Sequence, residues 1–320
     1  MKKVAAVFVS IGVILVIAGL VMVGIFGGEA IRNTNWKDVF SGTTHNLDSA
    51  NKNVDYGADE LDGLFAVSVR TDRFSVYVLP SENDVLSVKY VDPIEEGAAI
   101  DVKFSSGVLN VTETDNLKSG FWNGLFNRNR FVAVYVPQTE AFANLDLYVT
   151  TDVGGVAVKN VGFVDFRAEV HTGGVYVSNC KMDKLIVEGG TGSVTLDNIS
   201  CFGITVNVGT GSVNVDDVIA SDGIDISANT GSVNLSAAAK AIGINTNTGS
   251  VNFDVTSDNI AIKTDTGSVN GDIKGSKAEY QISVRKDTGK SNIKNQSVAN
   301  ATKFLTVEVD TGSINIDFDN

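Results

Sequence analysis

Thr191-Gly192-Ser193-Val194 is followed by the same tetrad at Thr210, Thr230, Thr248 and Thr266, and by Thr311-Gly312-Ser313-Ile314. Looser copies stand at Val153-Gly154-Gly155-Val156, Thr172-Gly173-Gly174-Val175 and Thr288-Gly289-Lys290-Ser291. The anchor glycines 154, 173, 192, 211, 231, 249, 267, 289 and 312 are spaced 19, 19, 19, 20, 18, 18, 22 and 23 residues apart. Such a period is that of a solenoid, whose units bury their apolar faces only against one another.

Alignment on the glycine, in chain order, gives columns. Two residues on stand Val156, Val175, Val194, Val213, Val233, Val251, Val269, Ser291 and Ile314; four residues on stand Val158, Val177, Leu196, Val215, Leu235, Phe253, Gly271, Ile293 and Ile316. Each column is apolar with a single exception, Ser291 in the first and Gly271 in the second, so both point inward. Between them an outward column becomes Asn214, Asn234, Asn252, Asn270, Asn292 and Asn315, and amides stacked about 4.8 Å apart can hydrogen-bond along the stack. A second alternating strand precedes each tetrad, as in Ile204-Thr-Val206-Asn-Val208, which makes Thr-Gly-Ser the corner between two strands. The pattern predicts an all-β, parallel β-solenoid over 151–320 whose nine turns rise about 40 Å. The alternative architecture is a stack of antiparallel hairpins turning at Thr-Gly-Ser.

Upstream, residues 63–150 alternate apolar and polar side chains in short runs, such as Phe74-Ser-Val76-Tyr-Val78 and Val132-Ala-Val134-Tyr-Val136. They predict a further β module that caps the solenoid or forms its opening turns. Before it, Val4 to Phe26 carries no charge, and as a helix it would span about 35 Å, enough for a hydrocarbon core of about 30 Å. Lys2 and Lys3 precede this run, which places the N-terminus in the cytoplasm and all that follows outside. The competing reading, a cleaved signal peptide, usually has an apolar region of about 7–15 residues with a small-x-small site behind it, whereas here the run is longer and no clear Ala-x-Ala follows. Residues 1–26 are thus expected to form a transmembrane anchor and 27–62 a polar tether, with a short helix near Trp36 to Phe40.

The 320 residues are 43% apolar and 20% charged, with a net charge of −13. The acidic balance argues against nucleic acid as a partner. Two His and two Cys leave no multi-ligand metal site or hydrolase triad to be expected, and no cofactor motif is present. Cys180 and Cys201 each fall in an apolar column, which predicts buried free thiols, a disulfide between coils being the alternative. Asp265-Thr-Gly-Ser and Asp310-Thr-Gly-Ser imitate an aspartic-protease triplet, but the same column holds Gly190, Gly209, Asn229 and Asn247, so the repeat accounts for them. Asp197, Asp216, Asp254, Asp272 and Asp317 form an acidic column that reads as a solvated face, with Ca²⁺ binding as the sharper alternative. His45 stands alone in the tether, and His171 replaces Asp or Asn at a corner. Phe121, Trp122, Leu125 and Phe126, beside Arg128 and Arg130, mark a loop suited either to cap the stack or to touch a membrane or partner.

An N-terminal anchor, a β module with Leu145-Asp-Leu-Tyr-Val-Thr-Thr-Asp after Val136-Pro137, and tandem T-G-S-V-x-V turns together resemble the bacterial DUF4097 family of adhesin-type surface proteins. The resemblance spans about Asp62 to Asn320; the family's corners are more often S-G-D or S-G-S. It implies a β-strand-repeat fold and a surface role, and brings no catalytic residue with it. The expected function is that of a single-pass cell-membrane protein with an extracellular solenoid, acting as a non-enzymatic adhesin-like binding or structural protein toward a cell-envelope component or a protein. An envelope-stress-sensing ectodomain is the alternative, and a carbohydrate-active β-helix, recognisable by carboxylates and an Arg in one cleft, comes from a different class.

Overall fold

Each Thr-Gly-Ser corner joins two strands, and each strand pairs in parallel with its counterpart in the neighbouring coil. The computed structural model describes residues 47–92, 99–114 and 130–319, all within one compact unit, His45–Asn320. The expected anchor at Val4–Phe26 and the short helix near Trp36 lie outside the described residues. Among those described, no helix is long and apolar enough to cross a membrane, and the only helical elements are short 3-10 turns such as Glu140–Phe142.

The inward columns are continuous. Val156, Val175, Val194, Val213, Val233, Val251, Val269 and Ile314 pair in register along one file, and all are buried. The file extends into the upstream module, where Val76 pairs in parallel with both Val156 and Val132. The hairpin alternative fails because the tetrads join parallel ladders. Among the named strands, antiparallel pairing is confined to the N-terminal end: Lys52–Tyr56 with Leu86–Tyr90, Leu86–Tyr90 with Phe131–Val136, and Ile100–Ser105 with Val108–Glu113.

Spatial order departs from chain order at both ends. The coil made by Lys303–Thr311 and Ile314–Asp319 lies between the coil of Asn259–Thr266 and Val269–Lys274 and the strand Tyr280–Thr288. At the other end Ala66–Thr71 lies between Val108–Glu113 and Asp146–Val153. The outermost coil at the C-terminal end is therefore an excursion from within the chain, whereas at the N-terminal end one ladder finishes on Lys52–Tyr56, the first strand described. The C-terminal excursion is closed by backbone bonds between Ile282 and Gln296 and by the Asn295 side chain, which accepts from the Val284 amide. Lys286 occupies an inward register position opposite Val309 and turns its ammonium out to the Gly289 carbonyl at 2.9 Å. A charge at an inward position of an edge strand disfavours further strand addition.

The uneven period has a local cause. Asn160, Asn179, Asn198 and Asp217 adopt left-handed backbone with φ of 52–56°, and the first three amides form a ladder at 2.9 and 2.8 Å. In the next coil Val215 and Val218 pair with Leu235 and Ala237, so one residue is missing there, while Ser221 and Asp222 stand opposite Lys240 alone. The insertion and the deletion produce the spacings of 20 and then 18. The second, expected ladder is present from Asn214 to Asn270, with Asn234, Asn252 and Asn270 each donating to the preceding amide oxygen at 2.8–3.2 Å, whereas Asn292 donates instead to the Ile316 carbonyl at 3.1 Å.

Gly271, the apolar file's exception, sits beneath Phe253, whose ring occupies the space a Cβ would take. Gly271→Val is expected to cost about 1–3 kcal/mol by overpacking. Most of that loss should be restored in the Phe253→Val/Gly271→Val double variant, a coupling read from urea denaturation.

Candidate functional site

The leading strand of every coil presents alternate side chains outward from the sheet. At two adjacent corners that outward position is glycine, Gly190 and Gly209, where a Cβ would press on the carbonyl oxygens of His171 and Gly190. The resulting dent is a cavity of about 510 Å³ edged by Glu169, His171, Glu188, Asn207, Ser227 and Asn229. It adjoins a second cavity of about 340 Å³ at Ser227, floored by Gly243 and Ala261 and ending at Lys263 and Glu308. Since these residues lie on successive coils, the two form one shallow groove running along the stack axis, across the strands.

Ion pairs fix one end. Glu169 and Glu188 stack in register on neighbouring coils, and Arg167 relieves their repulsion, its Nε 2.8 Å from Glu169 and its Nη2 3.1 Å from Glu188. The hydrogen bond that Arg167 donates to Glu169 and then the charge of Glu188 raise the Arg167 pKa. His171 Nδ1 lies 3.3 Å from Asp152. Two carboxylates and an Arg thus share one face, the arrangement expected of a carbohydrate-active β-helix. Both carboxylates, however, are held by the same guanidinium and their side chains are 40% and 44% exposed.

The other candidate residues are dispersed. Asp197 pairs with Asp216, and Asp254, Asp272 and Asp317 stack beyond Ser236, but Asp197 is buried, so the expected column is not solvated throughout; Lys274 bridges Asp254 at 3.0 Å and Asp319 at 2.6 Å. Among the described residues no His, Cys, Asp and Glu grouping could hold a metal ion. Asp265, Asp310 and Asp287 take corner positions on three stacked coils. Phe121, Trp122, Leu125, Phe126, Arg128 and His45 lie outside the described residues. Arg130 is 8% exposed, its Nε and Nη1 have no partner among the described residues, and burial, then the charge of Arg73, lowers its pKa. Arg73 itself clasps Glu113 at 3.1 Å.

Cys180 and Cys201 are buried free thiols, as their columns predicted. Desolvation raises both pKa values, that of Cys201 to about 11. Neither should react with a thiol reagent at pH 8 in the native chain, whereas both should react in denaturant. The groove itself was not anticipated, although Gly190 and Gly209, adjacent in a column otherwise rich in Asn and Asp, were its signal.

These features define a parallel β-solenoid carrying a shallow axial groove. The chain belongs to the Toastrack DUF4097 family, whose model matches residues 66–317. Among solved structures, the chain is similar to a "putative adhesin" of Bacteroides fragilis NCTC 9343, at 14% identity over 85% of this chain and 99% of that one, with a TM-score of 0.46. It is also similar to a "putative cell adhesion protein" of Clostridium sporogenes ATCC 15579 (12% identity, 84% and 99% coverage, TM-score 0.27). A third is a "putative lipid binding protein" of Parabacteroides distasonis ATCC 8503 (10%, 85% and 98%, 0.32). No curated protein matches the sequence.

Proposed function

We propose that this chain is a non-enzymatic surface-binding protein, held in the cell membrane by Val4–Phe26 and displaying its solenoid outside. The groove is the observation that carries the reading. Its lining side chains are spaced by the backbone ladder of the coils, so a ligand meets a preformed surface and little ordering entropy opposes binding. The apolar run and the two lysines before it supply the placement. Protease added to intact cells tests display: a surface solenoid loses a C-terminal epitope tag while a cytoplasmic marker survives. A tag that is cleaved only after lysis contradicts the proposal.

A further inference from the structure

The middle of the groove is lined mainly by amides and a hydroxyl, with Asp225 the one charge among them. We propose that it binds a neutral, extended glycan chain lying along the stack axis, an inference that rests on the surface-binding reading and names its ligand class. Charges stand at the groove's two ends, Glu169 and Glu188 at one and Lys263 and Glu308 at the other. Between them the lining is Asn207, Ser227, Asn229 and Asn245 over a floor that includes Gly190, Gly209 and Gly243. Asp225 lies over Gly243, close enough to contact a Cβ there.

Four features select the ligand. First, a polyanion is opposed by the net charge of −13. Second, a lipid tail or apolar peptide needs a deep, largely hydrophobic pocket, whereas this groove is shallow and floored by small residues. Third, strand addition uses a free sheet edge, and the groove lies on a sheet face whose N–H and C=O groups already bond between coils. Fourth, amides without partners line it. Asn214, Asn234 and Asn252 on the trailing strands satisfy one another in a ladder, whereas Asn207, Asn229 and Asn245 make no hydrogen bond among the described residues. Each amide offers two donors and an acceptor, and the Asp225 carboxylate offers acceptors, which together suit sugar hydroxyls. The glycine and alanine floor admits the flat C–H face of a sugar ring. Coils about 4.8 Å apart repeat these groups along the groove, as a polymer repeats its hydroxyls.

The test uses the full chain in detergent micelles and isothermal titration with two neutral probes, chitohexaose and cellohexaose. At least one should bind saturably. Ser227→Trp, which fills the junction of the two cavities from an exposed position, should weaken that binding by about tenfold or more without moving the thermal midpoint. Asn245→Ala should weaken it about fivefold, as expected for one neutral hydrogen bond. Absence of binding to either hexamer overturns the inference, as does binding that both variants leave unchanged. So does hexalysine binding more tightly than either sugar in a Ser227→Trp-sensitive manner. The protease experiment on intact cells is independent of these titrations, so failed display and failed glycan recognition are distinguishable.

Discussion

Gly231→Ala is expected to destabilise the solenoid by about 4 kcal/mol or more, among the largest effects a single methyl group can have. Two causes add. Gly231 has φ of +143°, a conformation that costs an L-residue about 1–3 kcal/mol. A Cβ at this position would also fall well inside the van der Waals radius of the Gly211 carbonyl oxygen in the neighbouring coil. The backbone cannot shift to relieve the overlap, because the corner is bonded on both sides: Gly211 N donates to Thr230 O and Gly231 N to Thr248 O at 2.8 and 2.9 Å. Ser232→Ala, one residue along the same corner, removes a hydroxyl that makes no hydrogen bond among the described residues and should fall within about 0.5 kcal/mol of the parent. Urea denaturation of the three proteins decides. Equal midpoints for Gly231→Ala and Ser232→Ala would mean that the corner does not pack as described.

Ending the chain after Thr302 should have a comparable or larger effect. In a solenoid stacked in chain order, loss of the last coil trims an end and leaves its neighbour exposed but paired. Here it removes an interior coil. Leu305, Val307, Val309, Ile314 and Ile316 are buried, a gross loss of roughly 7–15 kcal/mol before chain entropy is subtracted. Tyr280–Thr288, whose ladder partner is Lys303–Thr311, loses that partner altogether, and the ring of Tyr280 loses Phe318 at 5.5 Å. Hydrogen exchange should therefore show 280–300 unprotected in the truncated chain while coils from 175 to 230 keep their protection. Retained protection at 282 and 284 would contradict the insertion.

The inward files were legible because a solenoid repeats one local decision many times: valine two residues past the glycine is stacked on valine in coil after coil, and the sequence states it redundantly. The Asn214 to Asn270 ladder was legible for the same reason. The order of the end coils was not, because chain order is only a default when two candidate neighbours have similar patterns. Its physical signal lies in single residues. Lys286 stands in an inward column held elsewhere by the uncharged residues Thr151, Val170, Gly189, Val208, Ala228, Thr246, Thr264 and Val309, and a lysine tolerates that position only where one side of its strand is open. The Asn160, Asn179 and Asn198 ladder was overlooked because left-handed Asn at a bend has no hydrophobic period to announce it. The groove emerges only when residues 19 or 20 apart are viewed side by side.

The stack and its order can be read with a ruler. With Cys180 and Cys201 replaced by alanine, spin labels on cysteines at the exposed corners Thr191 and Thr311 should lie about 24 Å apart, five coils at about 4.8 Å each. Labels at Thr191 and Thr288 should lie about 29 Å apart, six coils distant. Double electron–electron resonance that returns the Thr288 pair as the longer one supports a parallel stack with its final coil inserted. Thr288 closer than Thr311, or distances that do not grow in steps of one coil, would contradict it.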